Sequence, residues 1–251
     1  MLKPICIMAA ALLAIGGALS ANPAHASVII AGTRVIFPAK DGEVTIRLTN
    51  QNTTPALIEA WVDSGDPQST PDKVNTPFLI TPPLFRMEPN RDQSLRILFT
   101  HSEQPLPADR ESVFWLNVLE VPPKPSGPQF AGKNYLQFAI RSRLKLFYRP
   151  ADVQGDPQKA PGELSFKAVS AAGSGALVVH NPTPYYVTIS QITVSVDGTA
   201  HKVDTGMVAP LSDLHLAVPD LKQAPNTGSA IQYNCINDYG ADVVLKATVS
   251  S

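Results

Sequence analysis

The sequence is poor in cysteine and in charged residues, and beyond its first 26 residues it has no apolar run long enough to cross a bilayer. Two of its 251 residues are cysteine, and 16% are Asp, Glu, Lys or Arg. The net charge of −1 gives no indication of the basic surface that binding to nucleic acid or to an anionic membrane requires. Hydrophobic residues make up 44% of the chain, which excludes a disordered protein.

The first 26 residues have the pattern of a secretory signal peptide. Lys3 supplies a positive charge, an apolar run from Ile5 to Leu19 follows, and Ala24-His25-Ala26 has the spacing of a cleavage site. A transmembrane helix is the alternative interpretation, but the run is short for a span and is followed by small residues and proline. We therefore expect export, a mature chain that begins at Ser27, and no insertion into the membrane.

Catalytic and metal-binding motifs are missing as well. The sequence contains no H-E-x-x-H, G-x-S-x-G or C-x-x-C motif and no glycine-rich phosphate loop. Once the signal peptide is removed, Cys235 has no partner for a disulfide, and we expect it to be a buried, unreactive thiol. Four histidines are scattered along the mature chain without metal-ligand spacing: His101, His180, His201 and His215. We expect neither an enzyme nor a bound metal or cofactor.

Proline is abundant, with 24 residues, and it disfavours long helices because it removes a backbone donor. Short segments of alternating polar and apolar residues predict strands instead, as in E-V-T-I-R-L-T-N from Glu43 to Asn50. Strands are predicted over 28–36, 43–50, 56–62, 78–81, 94–100, 113–121, 135–148, 164–169, 175–180, 186–196, 201–203, 214–218, 229–234 and 242–250. Their spacing, with polar turns between them, is typical of β-sandwiches.

A segment rich in proline and glycine, from Arg149 to Gly162, interrupts this pattern and predicts a linker. The predicted fold class is therefore all-β, with a first sandwich domain over 27–149, a linker over 150–160 and a second sandwich domain over 161–251. Each domain has a size that suits one sandwich.

One predicted strand, from Asn134 to Tyr148, is far longer than the usual five or six residues. Leu136, Phe138 and Ile140 share one face of it, because successive side chains of a strand alternate between faces. From the pattern alone, this is either a central strand with one buried face or an edge strand that offers its apolar row to a partner.

Two cations lie within apolar segments, Arg34 in I-I-A-G-T-R-V-I-F and Lys145 in R-L-K-L-F-Y. One interpretation is that each lays its aliphatic stem along a sheet and keeps its charge in water. If the first strand and the long strand meet at the domain junction, however, the two charges converge and suit an anionic chain end.

Several segments resemble the periplasmic pilus-assembly chaperones, the PapD-like family. The segment L-P-A-D-R-E-S-V-F-W-L-N-V-L-E-V-P-P, from Leu106 to Pro123, is similar to the signature segment of this family. Other similar segments follow the family's order and cover nearly all of the mature chain: T-R-V-I-F from Thr33, T-P-P from Thr81, R-M-E-P from Arg86, K-L-F-Y-R-P from Lys145, N-P-T-P-Y-Y-V-T from Asn181 and I-N-D-Y-G from Ile236.

The resemblance implies two immunoglobulin-like β-sandwich domains joined at an angle, with a cleft between them. It implies a periplasmic chaperone that binds pilus or fimbrial subunits, which lack their last strand, by lending its long edge strand to them. The subunits would then be delivered to an outer-membrane usher, without nucleic acid, cofactor or catalysis. Self-association of the free protein is a further expectation.

The same resemblance implies roles for individual residues. Leu136, Phe138 and Ile140 would be the lent side chains. Arg34 and Lys145 would anchor the C-terminal carboxylate of the subunit. The other implied site residues would form an ion network between the domains (Glu111, Arg149 and Asp238) or face the usher (Pro55, Leu57 and Pro82).

The chain departs from the family's pattern in its cysteines. The loop between Pro123 and Asn134 has no cysteine pair, which favours the short-loop type that serves adhesive rod-like pili, and Cys235 lacks the disulfide partner found in some members.

The parity of the long strand raises a separate question. Lys145 is odd-numbered whereas the lent residues are even-numbered, so the strand is expected to twist, bulge or turn between them.

The alternative function is that of an exported immunoglobulin-like adhesion or carbohydrate-binding module. Such a module binds through loops and has no use for an apolar row beside Arg34 and Lys145.

Overall fold

The computed structural model describes residues 28–100, 105–130, 132–171 and 174–250. The expected signal peptide and His101 lie outside these residues. The described chain forms strands β1 (Val28–Ile30), β2 (Arg34–Pro38), β3 (Glu43–Asn50), β4 (Ala56–Asp63), β5 (Phe78–Thr81), β6 (Leu84–Met87), β7 (Asp92–Phe99), β8 (Ser112–Val121), β9 (Ile140–Arg149), β10 (Ser165–Ala171), β11 (Ser174–Asn181), β12 (Val187–Val196), β13 (Thr199–Lys202), β14 (Gly206–Val208), β15 (Ser212–Val218), β16 (Ala230–Ile236) and β17 (Asp242–Ser250). Short 3-10 turns span Ala39–Asp41, Pro128–Phe130 and Ala160–Glu163. None of the helical segments within the described ranges has the length and apolar content needed to span a membrane.

The first domain is a sandwich of two sheets, with strand orders β1-β3-β7-β5 and β2-β9-β8-β4-β6. Alternate residues of each strand point into a shared core, and fully buried examples come from both sheets: Leu48, Ile58, Leu95, Ile97 and Leu146. Burial of this apolar area, at about 25 cal/mol per Å², is what holds the two sheets together. The predicted all-β fold class is confirmed.

The second domain has its own core. Its strands run in the order β13-β12-β16-β17-β10-β11-β15, with β14 also paired to β12. Strand β17 joins the two halves of this arrangement, because it is antiparallel to β16 along most of its length and parallel to β10 at its end. The rings of Phe166 and Tyr233 pack against each other in a tilted arrangement within the core, and the Tyr233 hydroxyl donates a hydrogen bond to the Pro161 carbonyl at 2.8 Å. The one polar group of this ring is therefore satisfied inside the core.

The predicted strand over 28–36 is wrong as a single element, because the chain changes sheets within it. Strand β1 pairs with β3 in one sheet, and β2 pairs in parallel with β9 in the other. Between them, Gly32 has a φ of +105°, a conformation that glycine adopts without steric cost. The switch at Gly32 places β2 beside only the last half of β9.

The predicted long strand is also shorter than expected, since β9 begins at Ile140 and residues 134–139 are not in a strand. The β8–β9 ladder ends at the Glu120–Ile140 pair. Pro122 and Pro123 follow directly after the end of β8, and proline has no amide hydrogen to donate to a ladder. Leu136 and Phe138 therefore lie before the strand and not within it.

Two strands were not predicted, β6 and β14, which have four and three residues. So few residues carry little periodicity, and each pairs with a longer strand, β4 or β12. In contrast, β3 and β5 span the predicted residues.

Candidate functional site

The structure brings Arg34 and Lys145 together. Strands β2 and β9 run in parallel, and these two residues are direct partners in their ladder. They lie at the end of β2 that follows the change of sheets, so β9 has β2 beside it from Lys145 onwards but not before. Two cations 111 residues apart in sequence thus become neighbours.

Both cations reach residues of the second domain. The Arg34 Nη1 atom donates a hydrogen bond to the Ile236 carbonyl at 2.9 Å, and Lys145 Nζ lies 3.3 Å from Thr188 Oγ1. Thr188 and Ile236 are themselves direct partners between β12 and β16. One cross-strand pair of the first domain therefore faces one cross-strand pair of the second, and the cations lie at the domain junction.

The charges of this pair are poorly compensated. Among the described residues, no carboxylate lies within salt-bridge distance of Arg34 or Lys145, and Arg34 Nε is buried without a hydrogen-bond partner. Burial lowers the pKa of Lys145, and the Arg34 charge lowers it further. Burial also lowers the pKa of Arg34, against the opposite effect of Asp238 and Glu111. An arrangement of this kind favours a bound anion, because an anion would supply the missing negative charge and the missing acceptor.

The edge of β9 beside this pair is open. Strand β8 pairs with β9 over its whole length up to Ile140, whereas β2 pairs only with residues 145–149. Residues 140–144 therefore have no strand on their second side within the described chain. Unpaired edges of this type are ready to accept another strand.

Exposed apolar side chains lead up to this open edge. The exposed fractions are 78% for Leu136, 68% for Phe138 and 49% for Ile140. Farther along the same strand face, Leu144 and Leu146 are buried in the core of the first domain. The row of even-numbered residues thus passes from the core into solvent.

The strand resolves the parity question without a bulge. The β8–β9 register is regular from Ser112–Tyr148 to Glu120–Ile140, so Ile140 and Lys145 lie on opposite faces of one continuous strand. Both residues nevertheless lie along the same edge of β9, so one added strand would run past both of them.

Glu111, Arg149 and Asp238 are brought together across the domain junction. Arg149 lies 2.7 Å from Glu111 and 2.9 Å from Asp238, with a side chain 18% exposed. Glu111 also accepts the backbone amide of Tyr186 at 2.8 Å. Burial lowers the pKa of Arg149, but the two carboxylates outweigh this effect and raise the pKa above its usual value. The network links the end of β9 to the second domain.

Next to this network, Gly240 packs closely against Thr33. Gly240 has a φ of +82°, and a Cβ atom there would collide with the Thr33 side chain. Only glycine fits this approach of the second domain to the residue before Arg34.

Pro55, Leu57 and Pro82 lie away from the junction, on the first domain. Leu57 is on β4, with an exposed fraction of 44%, and it pairs with Arg86 of β6. Pro55 immediately precedes β4, and Pro82 follows β5. Nothing in their geometry brings them to the Arg34–Lys145 pair.

Thr188, Ile236 and Gly240 complete the junction but were not identified as site residues from the sequence. All three lie in the segments N-P-T-P-Y-Y-V-T and I-N-D-Y-G that carry the resemblance. In the sequence only these whole segments mark the region, because a threonine, an isoleucine or a glycine does not by itself indicate a binding site.

Cys235 is fully buried, and burial together with the Asp242 charge raises the pKa of its thiol to about 12. We expect the folded mature chain to resist a thiol reagent at pH 8, because both access and thiolate are lacking. The same reagent should label one thiol after unfolding in urea. Rapid labelling of the folded protein would contradict this prediction.

The chain matches two family models that together cover most of it. Residues 27–154 match the model described as pili and flagellar-assembly chaperone, PapD N-terminal domain. Residues 159–247 match the model described as pili assembly chaperone PapD, C-terminal domain.

Individual relatives are similar over both domains. The chain is 43% identical over 242 residues to the chaperone protein FimB/FhaD of Bordetella pertussis, covering 94% of this chain and 95% of the relative. It is 40% identical over 218 residues to YadV, a probable fimbrial chaperone of Escherichia coli, covering 87% of this chain and 88% of the relative. The crystal structure of YadV matches with a TM-score of 0.75 at 37% identity, covering 89% of this chain and 100% of that chain.

A solved complex provides a further comparison. The structure of the Salmonella enterica SafA pilin in complex with the SafB chaperone matches with a TM-score of 0.71 at 29% identity, covering 89% of this chain and 96% of that chain. Since both family models and full-length relatives match, the chain belongs to the PapD family of pilus-assembly chaperones.

Proposed function

We propose that this protein is a periplasmic chaperone that binds pilus subunits, lends them the edge of β9 and delivers them to an outer-membrane usher. One observation carries the proposal: the open edge at residues 140–144 leads directly to the Arg34–Lys145 pair. Such an edge offers backbone donors and acceptors to an added strand. The two cations offer a site for the carboxylate at the end of that strand.

The edge and the anchor act on the same subunit strand. A subunit strand that pairs with the open edge of β9 runs beside Ile140, whose side chain is on one face of the sheet, and ends beside Lys145, whose side chain is on the other face. Its C-terminal carboxylate binds between Arg34 and Lys145, which sets its register along β9. The even-numbered apolar row then enters the open groove of the subunit.

Leu136 and Phe138 become part of this row when the subunit binds. In the free protein they precede β9 and are largely exposed, so their apolar surface becomes buried only when a subunit binds. Each large apolar side chain contributes about 1.5–3 kcal/mol on burial. The loss of conformational entropy when residues 134–139 become ordered opposes this gain. The subunit strand supplies the hydrogen-bond partner that these residues lack in the free protein.

The protein works in the periplasm, and the release of its subunit is driven by packing energy. The segment over residues 1–26 directs export to the periplasm, where no nucleotide is needed. Release of the subunit depends on the difference between its packing on the chaperone and its packing in the fibre. In the absence of a subunit, the same open edge can pair with a second copy, which accounts for the expected self-association.

Delivery to the usher is assigned to the surface around Pro55, Leu57 and Pro82. This surface lies outside the Arg34–Lys145 junction, although Pro55 lines a groove that also contains Phe138 and Ile140. Its exposed apolar residues include Leu57 and also Leu84 of β6, at 44% and 56% exposed.

An Ile140→Asp variant tests the lent row. We expect the affinity for a pilin subunit to fall at least about tenfold, because the substitution removes one buried apolar side chain and brings a charge into the groove. Co-expression with a candidate pilin, followed by co-purification from the periplasm and titration of the purified chaperone, measures the effect.

Leu79→Asp is the matched control, since Leu79 is 55% exposed on β5 of the other sheet. Equal losses in the two variants, or none at Ile140, would contradict the lent row. A module that binds its ligand through loops would keep full binding in both variants.

A further inference from the structure

The first half of β9 receives little support from the core. Ile140 is half exposed, Ser142 is small, and residues 140–144 have a neighbouring strand on one side only. Leu144 is the first residue of the strand that is buried in the core, so the residues before it have few buried contacts and are prone to local opening. The odd-numbered side chains, in contrast, are held firmly on the outer face of the sheet.

Arg141 makes most of its contacts with β4, β8 and the loop after β4. Its guanidinium donates to Asn117 Oδ1 at 2.6 and 2.9 Å, to Ser69 Oγ at 3.1 Å and to the Pro67 carbonyl at 3.0 Å. It also lies over the ring of Trp61, 4.7 Å from the ring centroid.

Arg143 is held by Asp63, the last residue of β4. The two N–H···O hydrogen bonds measure 2.6 and 3.1 Å, a bidentate geometry that carboxylates form with arginine. The guanidinium also lies over the ring of Trp115, 4.7 Å from the ring centroid. Both arginines of the open segment are therefore tied to the same outer face.

Asp63 is the centre of this cluster. Its side chain is 1% exposed, and it also accepts the Asn117 amide at 2.7 Å, the Ser69 hydroxyl at 3.2 Å and the Gly65 backbone amide at 2.7 Å. Burial raises the pKa of Asp63, but these hydrogen bonds and the Arg143 charge outweigh burial and hold the pKa below its usual value. Asp63 is thus ionised and orders the groups around both arginines.

We propose that Asp63 is a positioning residue for subunit capture, which acts through Arg143 and Arg141 to hold the open edge of β9 extended before a subunit arrives. An edge that is already extended requires less ordering on binding, and pre-organisation of this kind speeds association. The inference rests on the proposed function for its role in capture. Its structural part concerns the free protein alone.

Hydrogen exchange of the free protein tests the structural part. In Asp63→Asn, we expect those amides of 140–144 that donate to β8 to exchange about tenfold faster, because the charge-assisted bonds to Arg143 are weakened. Amides of 145–149, which β2 covers, and of the core strand around Leu95 should keep their rates. Arg143→Ala removes the same ion pair through its more exposed member and should give the same pattern of exchange rates, which keeps the test valid if Asp63→Asn folds poorly.

Glu43→Gln is the matched control, because it removes a carboxylate from an exposed pair with Arg96 on the other sheet. Unchanged exchange at 140–144 in Arg143→Ala, or an equal acceleration at all sites, would overturn the structural part of the proposal.

The rate of capture of a denatured pilin tests the functional part. We expect association with Asp63→Asn and Arg143→Ala to be several-fold slower than with the wild-type chain and with Glu43→Gln. An unchanged association rate alongside faster exchange would overturn the role in capture. Failure of the wild-type chain to capture any pilin would instead count against the proposed function, while the exchange result would still decide the role of Asp63 in the free protein.

Discussion

Replacing Arg34 or Lys145 by alanine is expected to abolish recovery of the chaperone–subunit complex while the protein stays folded. Truncating one partner of a buried, hydrogen-bonded charge interaction costs about 2–5 kcal/mol. This corresponds to a loss of affinity from roughly 30-fold to several thousand-fold. The subunit would also lose the contact that sets its register on β9.

The free protein should not lose stability in these variants. Folding places two like charges side by side and leaves Arg34 Nε buried without a partner. The lowered pKa values of both residues mean that the folded state disfavours their charged forms. Removing either charge relieves this cost, so we expect an unchanged or higher thermal midpoint.

Co-purification with a pilin from the periplasm and thermal melts by circular dichroism check both halves of this prediction. Lys167→Ala is a suitable control, because Lys167 is an exposed cation on β10 of the second domain. Full subunit binding by both alanine variants would refute the anchor. A collapse of the thermal midpoint would instead indicate a structural role for the pair.

An Arg149→Ala variant is expected to lower the thermal midpoint by on the order of 10 °C. The substitution leaves Glu111, whose side chain is 2% exposed, and Asp238 without their shared cation. Breaking a buried ion pair in this way costs about 3–5 kcal/mol, and each kcal/mol shifts the midpoint of a chain of this size by about 2–4 °C.

The same variant should weaken subunit binding indirectly. Arg149 is the last residue of β9, four positions from Lys145, and it joins that strand to the second domain. Loss of the network frees the second domain to shift, so that Thr188 and Ile236 no longer face the two cations in one geometry.

Calorimetry of the free chain and a pilin titration measure these two effects. Arg86→Ala is the control, because the Arg86–Glu88 pair is exposed and such pairs contribute about 0–1 kcal/mol. A midpoint shift in Arg149→Ala no larger than in the control would exclude the network as a support of the domain junction.

Much of the secondary structure follows from local patterns. Strands β3 and β5 coincide with their predicted ranges because alternation of polar and apolar residues is a property of the strand itself. Arg34 and Lys145 were recognisable in the same way, since a cation within an apolar segment needs an explanation wherever the segment lies.

The ends of strands depend on neighbours that the local pattern does not contain. The predicted strand over 28–36 divides at Gly32 because its two halves pair with different sheets. The predicted long strand begins only at Ile140 because β8 ends its ladder just before Pro122 and Pro123. Hydrogen-bond partners distant in sequence decided both ends.

The sequence by itself determined the fold class and singled out two cations within apolar segments, because both follow from residue type and short-range spacing. Only the tertiary structure decided that the cations are neighbours, that Thr188 and Ile236 face them and that the edge of β9 beside them is open. The contacts involved join residues 43 and 202 positions apart. Such contacts arise from the pairing of strands and the meeting of domains, which no local pattern specifies.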